Sequence, residues 1–99
     1  MKNLFVITVT YTKPLDIIDA ILPEHRAFLQ KGYEAGILLA SGPMNPRVGG
    51  IILGIFKDTK EAMEFTAKDP YAKNNAASYQ VVEFTPVKHA ELLKEFLGD

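Results

Sequence analysis

GILLASGPMNPRVGGIILGIF, residues 36–56, decides how the chain folds. Two apolar runs, GILLAS (36–41) and GIILGIF (50–56), flank a centre holding Pro43, Asn45, Pro46 and Gly49. β-Branched and aliphatic side chains suit a pleated surface, and proline, asparagine and glycine suit turns, so the stretch reads as a β-hairpin. Two adjacent antiparallel strands at mid-chain rule out a simple alternation of strand and helix.

Outward from the hairpin, each side offers a helix and then a strand. On the N-terminal side, PEHRAFLQKGYEAG (23–36) puts Pro23 at a first helical position, Glu24 in the first turn and Gly36 at the stop. Before it, PLDIIDAIL (14–22) reads as a short extra helix or an ordered loop, and NLFVITVTY (3–11) as a strand. On the C-terminal side, DTKE (58–61) opens a second helix, with Asp58 as cap and Glu61 completing a capping-box-like pair. SYQVVEFT (78–85) is the fourth strand, and TPVKHAELLKEFLG (85–98) reads as a final helix capped by Thr85, with Leu92, Leu93 and Phe96 along one side. The order β-α-β-β-α-β defines an α+β, ferredoxin-like two-layer sandwich on an antiparallel sheet, with an added C-terminal helix.

Helices cover one face of such a sheet. The first strand nevertheless offers Phe5, Ile7, Val9 and Tyr11 to one side, and Leu4, Val6, Thr8 and Thr10 to the other. A second apolar face in a soluble chain needs a cover, and a second copy is the simplest one. A homodimer packed sheet to sheet is the expectation.

Composition narrows the function. The 99 residues suffice for one domain spanning the whole chain and are too few for two. The 47% hydrophobic and 23% charged residues are those of an ordinary globular protein. A formal charge of −1, with no run of Lys or Arg, lacks the basic stripe that nucleic acid requires. The absence of cysteine removes disulfides, thiolate catalysis and zinc–thiolate sites, and fits a reducing cytoplasm. The longest apolar stretch, IILGIF, is far too short to span a bilayer. Two distant histidines offer no metal site, and the glycines of SGPMNPRVGG match no nucleotide-binding loop, so no cofactor is expected.

Two residues carry candidate chemistry. Ile21, Leu22, Phe28 and Leu29 stand three or four positions from His25, which places the imidazole within the apolar stripe of its helix. On the second helix Asp69 lies four residues beyond Phe65, on the same inward side, and Pro70 takes it out of helical geometry. KDPY thus sets an acid at the negative end of a helix dipole, and a charged hydrogen bond to His25 would offset that penalty. A carboxylate behind an imidazole fixes its tautomer and supports general acid or base catalysis. The plainer alternative is a core histidine bonded to backbone and an Asp-Pro turn. Tyr11, Ser41, Tyr71 and Tyr79 could line a pocket, although tyrosine in strands ordinarily serves packing. Arg26 and Arg47 could bind an anionic substrate, although solvated guanidinium groups are the ordinary account.

LPEHRAFL, AGILLASGPM, the GG before the third strand, EAMEF, KDPYAKNN and YQVVEFTPV together resemble the YciI-like family, the YCII-related domain, over nearly the whole chain. The resemblance implies a dimeric ferredoxin-like fold of the dimeric α/β-barrel type and an active site built on a His–Asp pair, here His25 and Asp69. The family's SGP segment maps to Ser41, Gly42 and Pro43, and its DPY to Asp69, Pro70 and Tyr71. PLDIIDAIL resembles a variant of one branch, which would reshape the pocket. A few relatives are associated with breakdown of chlorinated or hydroxylated aromatic rings. The resulting expectation is a cofactor-independent enzyme for hydrolysis, elimination or isomerisation of a small cyclic or aromatic metabolite. Ser41, Gly42, Pro43, Tyr71 and Tyr11 would contact the substrate. The rival is a non-catalytic ligand-binding or assembly domain with a structural His–Asp bond.

Overall fold

The computed structural model describes residues 1–98. Strand β1 (Leu4–Tyr11) leads into helix α1 (Leu15–Glu34), the hairpin of β2 (Leu38–Pro43) and β3 (Gly49–Ile55), helix α2 (Thr59–Ala67), a single turn α3 (Pro70–Lys73), and strand β4 (Ala77–Phe84). A 3-10 turn (Glu91–Leu93) and a short helix α4 (Lys94–Leu97) close the chain. The sheet order is β2-β3-β1-β4 with every pair antiparallel. This is the ferredoxin-like α+β sandwich.

Helix α1 corrects the reading of residues 14–36. It runs unbroken through Pro23, where a separate start is expected from the sequence. The reason is the buried stripe: Ile18, Leu22, His25, Leu29 and Gly32 follow one another at helical spacing across the proline. Pro23 itself is exposed, so the hydrogen bond it cannot give to the Asp19 carbonyl is lost on the solvent side, where water can replace it. Gly36 ends the segment with φ +75°, a conformation that disfavours any other residue.

The hairpin is tighter than its sequence suggests. Strand β2 takes in Ser41, Gly42 and Pro43, and the turn is confined to residues 44–48, closed by a 2.8 Å bond from the Met44 N–H to the Gly49 carbonyl. Gly49 is fixed by close approach, because a Cβ there would lie 1.8 Å from the Val9 carbonyl oxygen. Helix α2 is capped as read: the Asp58 side chain accepts from the Glu61 N–H at 2.8 Å, while Glu61 accepts from the Lys57 N–H at 3.2 Å.

The long final helix does not form. Thr85 caps nothing, Pro86 is buried, and Ala90 is extended, so helical bonding starts only at Glu91. Leu92 is 82% exposed, not inward. A short terminal helix is marginal by itself, and packing decides its extent. Leu97, wholly buried against Leu4 and Ile55, anchors the end, and the Lys2 N–H donates to the Leu97 carbonyl at 2.9 Å.

The main core lies between the helices and the inner sheet face. Phe5, Ile7 and Val9 meet Ile18, Leu29 and Ala62 there. Leu4 and Ile55 belong to the opposite face, so the chain's own C-terminal segment covers one end of the apolar surface expected to require a partner.

Candidate functional site

The short segment KDPY explains itself once α3 is recognised. Helix α2 is over at Lys68, and Asp69 is extended (φ −64°, ψ 131°), as a residue before proline prefers. Its carboxylate caps the next turn, accepting from the Tyr71 N–H at 3.0 Å. Asp69 still follows directly on the C-cap of α2, and the bond from the Tyr71 N–H offsets the penalty expected there. Asp69 stands at a helix start, where negative charge is favoured.

The same carboxylate reaches α1 and β4. Its Oδ1 lies 2.8 Å from His25 Nδ1, and its Oδ2 accepts from the Tyr79 hydroxyl at 2.7 Å. Asp69 is fully buried, whereas the His25 side chain keeps 13% of its surface. With the carboxylate ionised, Nδ1 carries the proton and donates, which leaves the Nε2 lone pair free. The imidazole also stacks on Tyr71, centroids 4.1 Å apart and planes at 18°. Hydrogen bond and stacking together fix the ring's position and plane.

His25 lines a cavity of about 360 Å³ between α1 and the hairpin. Tyr11, Ser41, Gly42, Pro43 and Tyr71 line it too, so the residues singled out in the sequence converge on one space. Asp69 is not on the wall; it stands behind His25. Ser41 Oγ lies 2.6 Å from the Tyr33 hydroxyl, which ties β2 to α1 at the rim. Leu22, Leu29, Val9 and Ile52 supply apolar wall.

Three residues take a larger place here than sequence reasoning gives them. Tyr79 holds the second carboxylate oxygen of Asp69. Its inward direction is legible in the alternation of Ala77, Tyr79 and Val81 with exposed Ser78 and Gln80, but its partner is ten residues away and across the fold. Arg26 and Arg47 both line the cavity. The Arg47 guanidinium donates to Asp19 of α1 at 2.6 Å and lies 5.9 Å from the Tyr11 ring centroid.

Protonation follows from these surroundings. Burial, helped by the bond to Asp69, holds the Tyr79 phenol well above its usual range. Burial foremost, with the neighbouring Tyr11, pushes Tyr71 up to about 12. Both are neutral donors at physiological pH. The bond to Asp19, with a smaller contribution from Tyr11, holds Arg47 still more firmly in its charged form. Among the described residues no three His, Cys, Asp or Glu side chains converge as a metal cage would require, and no helix is long and apolar enough to cross a membrane.

An antiparallel α+β protomer with a buried carboxylate behind a cavity-lining histidine defines the class: a ferredoxin-like two-layer sandwich with a candidate site between helix and hairpin. Residues 4–85 match the YCII-related domain, and the chain belongs to that family. No protein of curated function matches the sequence. Among solved structures it is similar to 5-chloro-2-hydroxyhydroquinone dehydrochlorinase (TftG) from Burkholderia phenoliruptrix AC1100, in complex with 2,5-dihydroxybenzoquinone. That similarity has a TM-score of 0.72 and 19% identity, over 90% of this chain and 97% of the other. It is also similar to an antibiotic biosynthesis monooxygenase (TM-score 0.56, 20% identity, 86% of this chain and 99% of the other). A third is SnoaB, a cofactor-independent oxygenase from Streptomyces nogalater (TM-score 0.52, 11% identity, 91% and 97%). At these identities the likeness establishes the fold.

Proposed function

We propose that this protein is a cofactor-independent enzyme that moves protons on a small cyclic or aromatic metabolite, with His25 as general acid/base and Asp69 as the group that orients it. The observation that carries the reading is the 2.8 Å contact of His25 Nδ1 with a fully buried carboxylate, which leaves Nε2 for the cavity. Nε2 takes a proton from a ring hydroxyl or an acidic carbon, and the resulting imidazolium is stabilised by Asp69. The same proton can then be returned to a leaving group or another ring atom, which covers elimination and isomerisation, or the base can activate water for hydrolysis. Elimination is the preferred member of that set, because a protein of the same fold is a dehydrochlorinase solved with a dihydroxybenzoquinone. Apolar walls with Tyr11, Ser41, Gly42, Pro43 and Tyr71 suit a flat ring. The working unit in this reading is a cytoplasmic homodimer joined through the outer sheet face.

A second reading has its own observation. Asp69 accepts three hydrogen bonds that join α1, α3 and β4, so the pair also resembles a structural clamp in a non-catalytic ligand-binding domain. One experiment separates the two. Chlorinated hydroxyhydroquinones, which reach the quinone by losing HCl without an oxidant, are screened for quinone formation by absorbance and for chloride release, with His25→Gln and Asp69→Asn measured beside the wild type. The enzyme reading expects each variant to lose on the order of 10²–10⁴-fold in kcat. His25→Gln should keep its melting temperature, and imidazole ¹⁵N shifts should report the Nδ1–H tautomer in the wild type only while Asp69 is present. Turnover retained in His25→Gln, together with a fall of several degrees in Tm, would assign the pair to the scaffold.

A further inference from the structure

The cavity wall carries charge of one sign. Arg26 and Arg47 line it, and among the described residues no Asp or Glu does, in a chain whose formal charge is −1. Asp19 accepts from one edge of the Arg47 guanidinium at 2.6 Å, and the Tyr11 ring lies 5.9 Å away, with a third of the side chain still open to solvent. A guanidinium has five N–H donors, and one carboxylate oxygen leaves most of them unused.

Tyr71 supplies an independent observation. The residue lines the same cavity, is only 1% exposed, and its hydroxyl has no hydrogen-bond partner. A buried hydroxyl without a partner destabilises a fold, and a bound acceptor would satisfy it. Its ring lies between His25, stacked at 4.1 Å, and Tyr11, edge-on at 5.8 Å. The contacts therefore run Arg47–Tyr11–Tyr71–His25 along one wall, with the cation at one end and the base at the other.

We propose that Arg47 and the Tyr71 hydroxyl form an anion-binding end of the cavity, and that its ligand is a planar ring bearing one ionised oxygen, a phenolate or enolate. The cavity volume, about 360 Å³, is near the small end for ligand sites and suits a single ring. The apolar wall of Leu22, Leu29, Val9 and Ile52 takes a ring face but no second charge. Arg47, shared with Asp19, and one hydroxyl suit a single oxyanion at this end, while Arg26 lines the cavity as a second, solvent-exposed cation. Placement of the reacting atom at His25 rests on the acid/base reading above; selectivity for the anion does not.

The probe is para-nitrophenol, whose neutral and ionised forms absorb differently, with para-nitroanisole as its uncharged counterpart. Wild type should bind the phenolate about tenfold or more tightly than the anisole. Arg47→Gln should abolish that preference. Tyr71→Phe should weaken the phenolate about tenfold and leave the anisole unchanged, with Tm kept or raised because an unpartnered hydroxyl is removed. Equal binding of the two probes, a preference that survives Arg47→Gln, or no saturable binding at millimolar ligand overturns the proposal. His25→Gln distinguishes this from the catalytic reading, since it should still prefer the phenolate. Phenolate preference without turnover of any hydroquinone removes the acid/base role alone, and turnover without that preference removes the anion site alone.

Discussion

Two buried tyrosines in one site have opposite circumstances. Tyr79 donates to Asp69, whereas Tyr71 packs its ring and leaves its hydroxyl alone. Tyr79→Phe strands a carboxylate oxygen in the interior, and a loss of about 1–3 kcal/mol in urea unfolding is expected. The two phenols also set an alkaline limit. In the unfolded chain a tyrosine releases its proton near pH 10, while Tyr71 in the fold holds its own to about 12 and Tyr79 is raised as well. Above the unfolded value the folded state therefore binds more protons, and stability falls as pH rises. Unfolding free energy from the phenols should hold up to about pH 10 and decline through about 12, with a shallower decline in Tyr79→Phe. An identical slope in the variant would remove Tyr79 from this account.

The hairpin between β2 and β3 is the element that builds the cavity. It brings Ser41, Gly42 and Pro43 to one wall and carries Arg47 on its turn. Its seat against β1 depends on Gly49, which pairs with Thr10 and lies under the Val9 carbonyl. Any Cβ at that point must push two backbones apart, so Gly49→Ala is expected to lose about 2–3 kcal/mol or more. Arg47 should lose its order with it. Thermal unfolding and phenolate binding of Gly49→Ala would both show this, and an unchanged Tm would mean that the strands have room the geometry denies. The hairpin, the strand order and the direction of His25 were legible because they follow from local patterns: apolar runs, turn residues and helical spacing. Three features were not. The passage of α1 through Pro23 depends on which side of the helix faces water. The role of Asp69 as the cap of α3 needs the position of a one-turn helix that four residues cannot announce. The Tyr79 bond joins an alternating strand to that same cap, and nothing near Tyr79 in sequence marks it.

At the scale of the whole molecule, the outer sheet face is the surface on which the proposed dimer is tested. The alternation of β1 already shows that Val6 points away from Phe5 and Ile7, and the register adds Leu53 and Val82 beside Val6. What the alternation cannot show is that Leu97 returns to cover Leu4 and Ile55, because that depends on the path taken after β4. Self-cover is partial. Val82 remains 57% exposed and Phe84 45%, next to half-buried Val6, Ile51 and Leu53. An apolar stripe of this kind on an antiparallel sheet is the surface that a second copy would bury, strand against strand, around a two-fold axis. Val82→Lys tests it without touching the core or the cavity. In a single protomer the new ammonium stays in water, so the fold and the inner site should be unchanged. Across a two-fold axis two such charges would face each other in a desolvated seam, at several kcal/mol, which weakens the dimer by roughly 100-fold or more. Sedimentation velocity at micromolar protein should show a wild-type dimer and a Val82→Lys monomer, with the two sharing one circular dichroism spectrum. A monomeric wild type, or a variant that still dimerises, would mean that the stripe is left to water or that the copies meet elsewhere.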